Sequence, residues 1–237
     1  MKNRRIISFI YLALFAVLFS SCTEDDGPSA PEEPVDTFDA SVVCPADGVN
    51  AYGEPNRGTF TDARDGQVYK YTTIGDQVWM AENLKFNAPY SVCYDKIEGF
   101  CDTFGRFYSL HENGEFFDAF DQDLLDTICP AGWHVPSVDE WNILSNNMGG
   151  DRKDVNRLYS SFDFGEDYIV GSDDCGFNSL PAGYWRIDGT LSAEYEYSAY
   201  CTSTAESLKS SYTCNFNHKG LSFGVNHPKM SIRCVKN

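Results

Sequence analysis

Eight cysteines downstream of position 22 constrain the fold of this chain more than any other feature. They lie at positions 44, 93, 101, 129, 175, 201, 214 and 234. No Cys-x-x-Cys pair occurs and the four histidines stand at no ligand spacing, so zinc is the weaker interpretation. If the chain is exported, as its amino terminus indicates, an even set of cysteines predicts disulfides, and many connectivities are open before other constraints apply.

The amino terminus predicts export. Three basic residues precede an apolar run over residues 6–19, and two serines then lead to Cys22. A cationic head, a short apolar segment and small residues before a cleavage point form a secretory signal, and this run is too short for a comfortable membrane span. We expect residues 1–21 to be a signal peptide and Cys22 to be the acylated first residue of a bacterial lipoprotein, which would anchor the chain to a membrane. Plain secretion with an incidental Cys22 is the alternative.

The segment that follows Cys22 predicts an acidic, flexible tether over residues 22–40. Residues 23–40 hold seven carboxylates, three prolines and no lysine or arginine, a composition that cannot bury a core. The carboxylates at 24–26 resemble the export signal of surface-exposed lipoproteins in the Bacteroidota, although a solvated tether would need acidic residues as well. We therefore expect an outer-membrane lipoprotein exposed at the cell surface.

The charge of the chain excludes one class of partner. Asp and Glu number 35 against 18 Lys and Arg, for a formal net charge of −17. Such a surface repels phosphate backbones, and the sequence shows no basic patch that could overcome the repulsion. We expect no nucleic-acid binding.

The remaining residues predict one α+β domain of about 200 residues. Residues 68–74 and 77–80 are β-rich and flank Gly75-Asp76, which predicts a tight hairpin. A capping box at Ser137 and Glu140 begins a helix that Gly149-Gly150 ends, and a second short helix is predicted from the spacing of four apolar residues, Val155, Leu158, Tyr159 and Phe162. Loops with short aromatic strands follow from Gly165, and residues 230–235 read as a closing strand.

Several segments resemble the Fibrobacter succinogenes major paralogous domain family. They are residues 65–69, 74–84, 104–108, 129–137 with Glu140-Trp141, 180–184 and 231–236. The resemblance covers residues 60–237 in order, which leaves residues 41–59 as a lead-in of uncertain structure. One segment departs from the family: Tyr200-Cys201-Thr202-Ser203-Thr204 has cysteine where relatives usually have tryptophan.

The resemblance implies a C-type-lectin-like fold with a hairpin, two short helices, loop-rich antiparallel strands and disulfides. That fold would bring Cys129, ahead of the first helix, to Cys234 on the last strand. Cys93 and Cys101, which close a short loop, are the next pair. Cys201 and Cys214 could join the arms of a hairpin centred near Leu208, which would leave Cys44 with Cys175.

A run of aromatic and charged residues after position 183 is the candidate ligand surface. The candidates are Tyr184, Trp185, Arg186, Asp188, Tyr195 and Tyr197, with Tyr200 beside them. Flat rings can stack on sugar C–H faces while carboxylates and amides bond hydroxyls, which predicts a shallow glycan site. The alternative is that half of these rings fill the core of a loop-rich domain.

Other chemistry-bearing residues have plainer interpretations. Trp79, Trp133 and Trp141 are expected in the core, and His134 is expected to be structural because no carboxylate stands at a recognisable offset. No cofactor is predicted. Calcium is a possible ligand at two acidic groups, of which one is Asp118, Asp121, Asp123 and Asp126, and the other is Asp163, Glu166 and Asp167.

Three functions stay open at this point. The first is a lipid-anchored, non-catalytic protein that binds a polysaccharide or another surface component. The second is a structural or accessory subunit of a surface protein assembly, and the third is a hydrolase or oxidoreductase on the same fold. No familiar hydrolase, zinc-protease or phosphate-loop motif occurs, which favours the first two.

Overall fold

The computed structural model describes residues 36–93, 99–114, 119–150, 152–163, 165, 170–192, 197–217, 220–225 and 229–237. Asp36 to Asn237 form one compact unit. The predicted signal peptide, Cys22 and residues 22–35 of the predicted tether lie outside the described residues. Within the described ranges, no helix has the length and apolar character needed to cross a membrane.

Short helices and antiparallel strands make up the unit, which is therefore a mixed α+β fold. The helices are α1 (Ala40–Val43), α2 (Phe100–Phe104), α3 (Gln122–Thr127) and α4 (Val138–Asn147). The strands are β1 (Arg57–Thr61), β2 (Val68–Ile74), β3 (Gln77–Met80), β4 (Trp133–His134), β5 (Tyr184–Trp185), β6 (Leu191–Ser192), β7 (Tyr197–Ser207), β8 (Ser210–Asn217), β9 (Gly220–Val225) and β10 (Val235–Lys236). Every pair of these strands that is hydrogen-bonded is antiparallel.

The five-stranded sheet has the order β1-β2-β3-β10-β4 and contains the predicted hairpin. β2 and β3 pair from Ile74↔Gln77 onward, so Gly75-Asp76 form the tight turn. Gly75 has φ +57°, a left-handed conformation that favours glycine, and a Cβ there would also displace the side-chain amide of Asn147. The hairpin prediction is confirmed.

Helix α4 begins and ends where the sequence predicts. The Ser137 N–H donates to Glu140 Oε2 at 2.8 Å, and the Glu140 N–H donates to Ser137 Oγ at 3.2 Å, which completes the capping box. Gly149 and Gly150 follow the helix with φ +120° and +75°, conformations that stop a right-handed helix.

The second predicted helix is wrong in extent and type. The structure has a 3₁₀ helix over Arg152–Arg157, and Phe162 is 64% exposed instead of continuing the apolar face. Val155, Leu158 and Tyr159 are buried as predicted. Leu158 and Tyr159 still donate their N–H groups to Val155 O, but the helical pattern goes no further because the Ser160 N–H donates to Ser179 O at 2.9 Å.

The second half of the chain forms a three-stranded sheet with the order β7-β8-β9. β7 and β8 pair up to Ser207↔Ser210, so the predicted hairpin near Leu208 is present. The predicted closing strand is shorter than residues 230–235, since β10 begins only at Val235. Met230 and Ser231 instead make single bridges to two different partners, Tyr108 and Tyr200.

Two large apolar clusters form the core. Trp133, which is 8% exposed, packs in the first cluster. Trp79 and Trp141 are both fully buried in the second cluster, and their ring centroids lie 4.7 Å apart. The prediction that these three tryptophans are core residues is confirmed. Replacing a buried indole by alanine typically costs about 3 to 5 kcal/mol, so this pair contributes strongly to stability.

Three of the four predicted disulfides are present, namely Cys44–Cys175, Cys93–Cys101 and Cys129–Cys234. The fourth prediction, Cys201–Cys214, is wrong, and both of these cysteines are free and buried. In the β7–β8 ladder Cys214 is opposite Tyr200, and Cys201 is opposite Thr213. Neighbouring strand residues point to opposite faces, so Cys201 packs in the first cluster and Cys214 in the second.

Arg233 is a fully buried cation that joins distant segments. Its Nε donates to Asn83 Oδ1 at 3.0 Å, and Nη2 donates to the same oxygen and to Asn178 O. Nη1 donates to Phe177 O, and the guanidinium carbon lies 4.7 Å from the centroid of the Phe177 ring. Asn83 in turn donates to Phe104 O at 2.8 Å.

The cysteine geometry predicts the outcome of thiol titration on residues 36–237. We expect no reaction in the native state, because both free thiols are fully buried, and two alkylated cysteines per chain after denaturation without reductant. Mass spectrometry of the alkylated protein measures this count. Finding no alkylated cysteine in denaturant would restore the fourth disulfide and contradict the β7–β8 register.

Arg233→Lys tests the buried cation. A lysine ammonium keeps the charge but cannot bond several carbonyl groups in a fork, so we expect a loss of about 2 to 4 kcal/mol in the free energy of unfolding by urea. Arg106→Lys is the matched control, since Arg106 is only partly buried and bonds Ser91. Equal effects of the two substitutions would show that Arg233 has no special role.

Candidate functional site

The candidate ligand surface folds as a small two-stranded hairpin, which we call the aromatic hairpin (residues 184–192). β5 and β6 pair Tyr184 with Ser192 and Trp185 with Leu191. The Arg186 N–H donates to Thr190 O at 2.8 Å and closes the turn. The hairpin therefore places two rings at its base and the exposed residues 186–190 at its tip.

Asp188 fixes the conformation of the tip. Its Oδ1 accepts from the Thr190 N–H at 3.0 Å and from the Thr190 hydroxyl at 2.6 Å. These two bonds, the hydroxyl first, hold the pKa of Asp188 below its ordinary value. The carboxylate therefore stays charged to a lower pH than an ordinary aspartate, within a turn that also exposes Arg186 and Ile187 (64% exposed).

The two rings of the hairpin are half-buried. Tyr184 meets the ring of Tyr197 edge-on, with centroids 6.0 Å apart, and both rings pack against the first core cluster. The ring centroid of Trp185 lies 6.2 Å from that of Phe107. Phe107 belongs to a third, smaller apolar cluster, against which Trp185 packs. Each ring is therefore positioned by core contacts and still keeps part of its surface exposed.

The structure thus brings most of the predicted surface residues together. Tyr184, Trp185, Arg186 and Asp188 belong to one hairpin, and Tyr197 packs beside it at the start of β7. Tyr195 lies outside the described residues. Tyr200 is fully buried between the sheets, so it belongs to the core and offers no ring to a ligand.

Lys229 is a neighbour of the hairpin that the sequence did not indicate. The Trp185 N–H donates to Lys229 O at 2.9 Å, and the Lys229 ammonium donates to Tyr90 O. Lys229 therefore holds the segment at Tyr90, itself 51% exposed, near the base of the hairpin. No local pattern could have revealed this contact, because the residues are far apart in the chain.

Three of the acidic residues proposed for calcium, Asp121, Asp126 and Asp163, make local structural bonds. Asp121 Oδ1 accepts from the Leu124 N–H at 2.8 Å and caps α3, and Asp126 accepts from the Gln122 amide at 2.8 Å. Asp163 accepts from the Gly165 N–H. Residues 118, 166 and 167 lie outside the described ranges, and inside those ranges no three His, Cys, Asp or Glu side chains form a group that could hold a metal ion.

His134 does have a carboxylate partner, contrary to the expectation from spacing. Its Nε2 lies 2.7 Å from Glu140 Oε1, and its Nδ1 lies 2.7 Å from Asn237 Oδ1. The bond to Glu140 raises the pKa of His134. Burial opposes ionisation of Glu140, but its bonds from His134 and Ser137 outweigh burial and lower its pKa. His134 and Glu140 are six residues apart, but the Glu140 side chain reaches back over the start of α4 to accept from Ser137, which brings its other oxygen to His134.

This cluster does not have the order that activates a nucleophile. The Ser137 hydroxyl donates to Glu140 Oε2 at 2.9 Å, so the carboxylate lies between the hydroxyl and the imidazole. Nucleophilic catalysis needs the imidazole next to the hydroxyl, with the carboxylate behind it. The bonds among Ser137, Glu140 and His134 instead anchor the start of helix α4.

The two free thiols are also poor nucleophiles. Burial raises the pKa of Cys201 and of Cys214 well above the ordinary value, so neither forms the reactive thiolate readily. Each thiol is inaccessible on its own face of the sheet. Free thiols would favour an enzyme only if they were exposed and acidic.

Comparison with known proteins gives one match. The model of the Fibrobacter succinogenes major domain matches residues 72–236, which is about 70% of the chain and runs from β2 into β10. The matched span contains the aromatic hairpin, Asn83 and Arg233. No curated protein and no solved structure matches significantly.

The ion pair of His134 and Glu140 predicts a pH-dependent effect of His134→Gln. A raised histidine pKa stabilises the fold fully below about 6.5 and loses its effect as the pH rises through the folded-state value, while the lowered Glu140 pKa stabilises above about 4.5. We expect the variant to lose up to about 1 kcal/mol in urea unfolding near pH 5.5 and less near pH 8.5, since the imidazole is partly exposed.

Lys85→Gln is the control for this measurement. It breaks an ion pair with Glu82, 3.2 Å away, that contains no histidine. Its effect should be similar at the two pH values. A His134→Gln effect that grows toward alkaline pH would contradict the assignment.

Proposed function

We infer that this chain, which belongs to the Fibrobacter succinogenes major domain family, is a cell-surface protein that binds glycans through the aromatic hairpin and catalyses no reaction. The observation that carries this proposal is the hairpin itself. It combines two half-buried rings, Tyr184 and Trp185, with an exposed turn bearing Arg186 and Asp188. The family description names no activity, so the proposal rests on the geometry and its chemistry.

The hairpin offers the groups that sugar recognition uses. The partly exposed faces of Tyr184 and Trp185 can stack on the C–H faces of a sugar ring. Arg186 can donate to hydroxyl or ring oxygens, and the Asp188 carboxylate can accept from hydroxyls. The rings are already fixed by Tyr197 and Phe107, which reduces the entropy lost on binding.

Two observations support binding without catalysis. In the His134 cluster the carboxylate of Glu140 separates the imidazole from the hydroxyl of Ser137. The free thiols of Cys201 and Cys214 are buried and have raised pKa values. A hydrolase or oxidoreductase would need a nucleophile or redox group that is accessible.

We further propose that the protein is an outer-membrane lipoprotein with its domain displayed at the cell surface. The leader ahead of Cys22 and the acidic segment after it support this location. We also propose that the fold is C-type-lectin-like. The capped helix α4 and the disulfide that joins its entry segment, at Cys129, to Cys234 beside β10 support that assignment.

A double variant, Tyr184→Ala with Trp185→Ala, tests the proposed function. We expect residues 36–237 to bind a member of a panel of soluble and insoluble polysaccharides, and the double variant to bind it about 10- to 100-fold more weakly, since each ring contributes about 1 kcal/mol. Affinity electrophoresis and pull-down on insoluble glycans measure the loss.

Phe162→Ala is the matched control, because Phe162 is an exposed ring outside the hairpin. The single variant Arg186→Ala alters the exposed tip without removing a packed ring, so it separates lost binding from lost folding. Absence of binding to every glycan by the folded wild type would contradict the proposal and favour the accessory subunit of a surface assembly.

A further inference from the structure

A polar cleft of about 370 Å³ lies beside β1 and β2, and none of its lining residues belongs to the aromatic hairpin. We call it the Arg57 cleft. Its lining includes Arg57, Lys70, Tyr71, Asp173, Gly176 and Asn178. The volume is at the lower end of the range of ligand pockets, about 300 to 1,000 Å³, which suits one small ligand.

The loop over residues 173–178 forms one wall and is held at many points. The Cys44–Cys175 disulfide joins it to the segment after α1, and the Thr72 hydroxyl donates to Cys175 O at 2.5 Å. Asp173 and Asn178 both have positive φ, 49° and 54°, and Asp173 Oδ1 accepts from the Asn178 N–H at 2.7 Å. Such constrained backbone keeps the wall in one shape.

Arg57 has hydrogen-bonding capacity that the described residues do not use. Its Nη2 donates to Cys44 O and to Asp174 O, both at 3.3 Å, while the buried Nε has no partner in the described part of the chain. A Cβ on Gly176 would lie 3.4 Å from Nη1, so glycine leaves this side of the guanidinium uncovered. Nε is itself too buried for a ligand to reach, but Nη1, which has no acceptor among the described residues, lies on the uncovered side and can donate to an acceptor ligand.

The charge of the cleft differs from that of the whole chain. Two cations, Arg57 and Lys70, line it together with one acid, Asp173. Burial raises the pKa of Asp173 to about 6, an effect that Asp174 reinforces and that the Asn178 N–H, Arg233 and Arg57 partly offset. Below that pH the acid is largely neutral, and the cleft becomes an electropositive spot on a protein of net charge −17.

We propose that the Arg57 cleft binds a hexuronate, a six-carbon sugar that carries one carboxylate. Arg57 and Lys70 would bind the carboxylate, and Asn178 and Asp173 would bond its hydroxyls. The choice of a sugar rests on the proposed function, whereas the carboxylate follows from the charge and the unused donors of the cleft.

The test is an NMR titration of the full chain, in a detergent without a sugar headgroup, with sodium glucuronate as the probe. Glucose is the control ligand because it is the same ring without the carboxylate. We expect saturable glucuronate binding that is at least 10-fold tighter than glucose binding. Lys70→Glu, at an exposed position of β2, should weaken glucuronate binding at least 10-fold.

Lys209→Glu is the matched control, since it makes the same charge change at the exposed β7–β8 turn. It should leave glucuronate binding within about twofold of the wild type. Asp173→Asn keeps an oxygen that accepts from the Asn178 N–H and removes the titrating charge. In the wild type, binding should tighten about 3- to 10-fold from pH 7.5 to pH 5, and in Asp173→Asn it should not change with pH.

The proposal is overturned if glucuronate does not bind, if glucose binds equally well, or if Lys70→Glu and Lys209→Glu have equal effects. Its failure is distinguishable from failure of the proposed function. The double variant of Tyr184 and Trp185 should still bind glucuronate, because none of the cleft residues belongs to the aromatic hairpin. Polysaccharide capture that is lost in that double variant tests the hairpin alone.

Discussion

The buried guanidinium of Arg233 is the interaction on which the arrangement of the other segments depends. A cation in an apolar interior is tolerated only when its donors are satisfied, since an unpaired buried charge costs several kcal/mol. Within the described residues, its hydrogen bonds go to one side-chain amide and to carbonyl groups, with no carboxylate among them. The ring of Phe177 adds a cation–π contact at 4.7 Å, and Tyr200 lies at 5.7 Å. The charge therefore fixes the end of β3, the loop at Phe177 and the segment before β10 in one geometry.

The same contacts connect the core to both candidate ligand sites. Arg233 donates to Asn178 O and so holds one end of the loop that lines the Arg57 cleft. Asn83 donates to Phe104 O, which fixes the end of α2. Phe104 and Phe107 belong to the apolar cluster against which Trp185 packs. A change at Arg233 or Asn83 should accordingly disturb the cleft and the hairpin together, although neither residue belongs to them.

Local structure was predictable because its signals lie within a few residues of each other. The turn at Gly75-Asp76 and the capping box at Ser137 each need only short-range geometry, and both are present. The failed predictions depended on distant partners. Helical bonding does not continue past Tyr159 because the Ser160 N–H donates to Ser179 O, and Cys201 misses Cys214 because the β7–β8 register sets them on opposite faces. The even number of cysteines predicted four bridges, but an even count says nothing about how β7 and β8 pair or which face each cysteine occupies. The candidate rings were identified by composition, whereas their fixation by Phe107 and Lys229 could be seen only in the structure.

Arginine has a structural use in this domain that also shapes its surface. Backbone carbonyl groups in loops do not take part in the hydrogen bonds between strands, and one guanidinium can donate to several of them at once. Arg64 donates to Thr127 O and Ile128 O, and Arg157 donates to Met148 O. Arg57 and Arg233 act in the same way. Arg64 also pairs with Asp62, and Arg157 with Asp36 and Asp174, but 35 acidic against 18 basic residues leave the chain strongly negative. The resulting field repels a polyanion along its whole length but is screened within about 10 Å, so it is compatible with the ligands proposed above, a neutral glycan and a single carboxylate between Arg57 and Lys70.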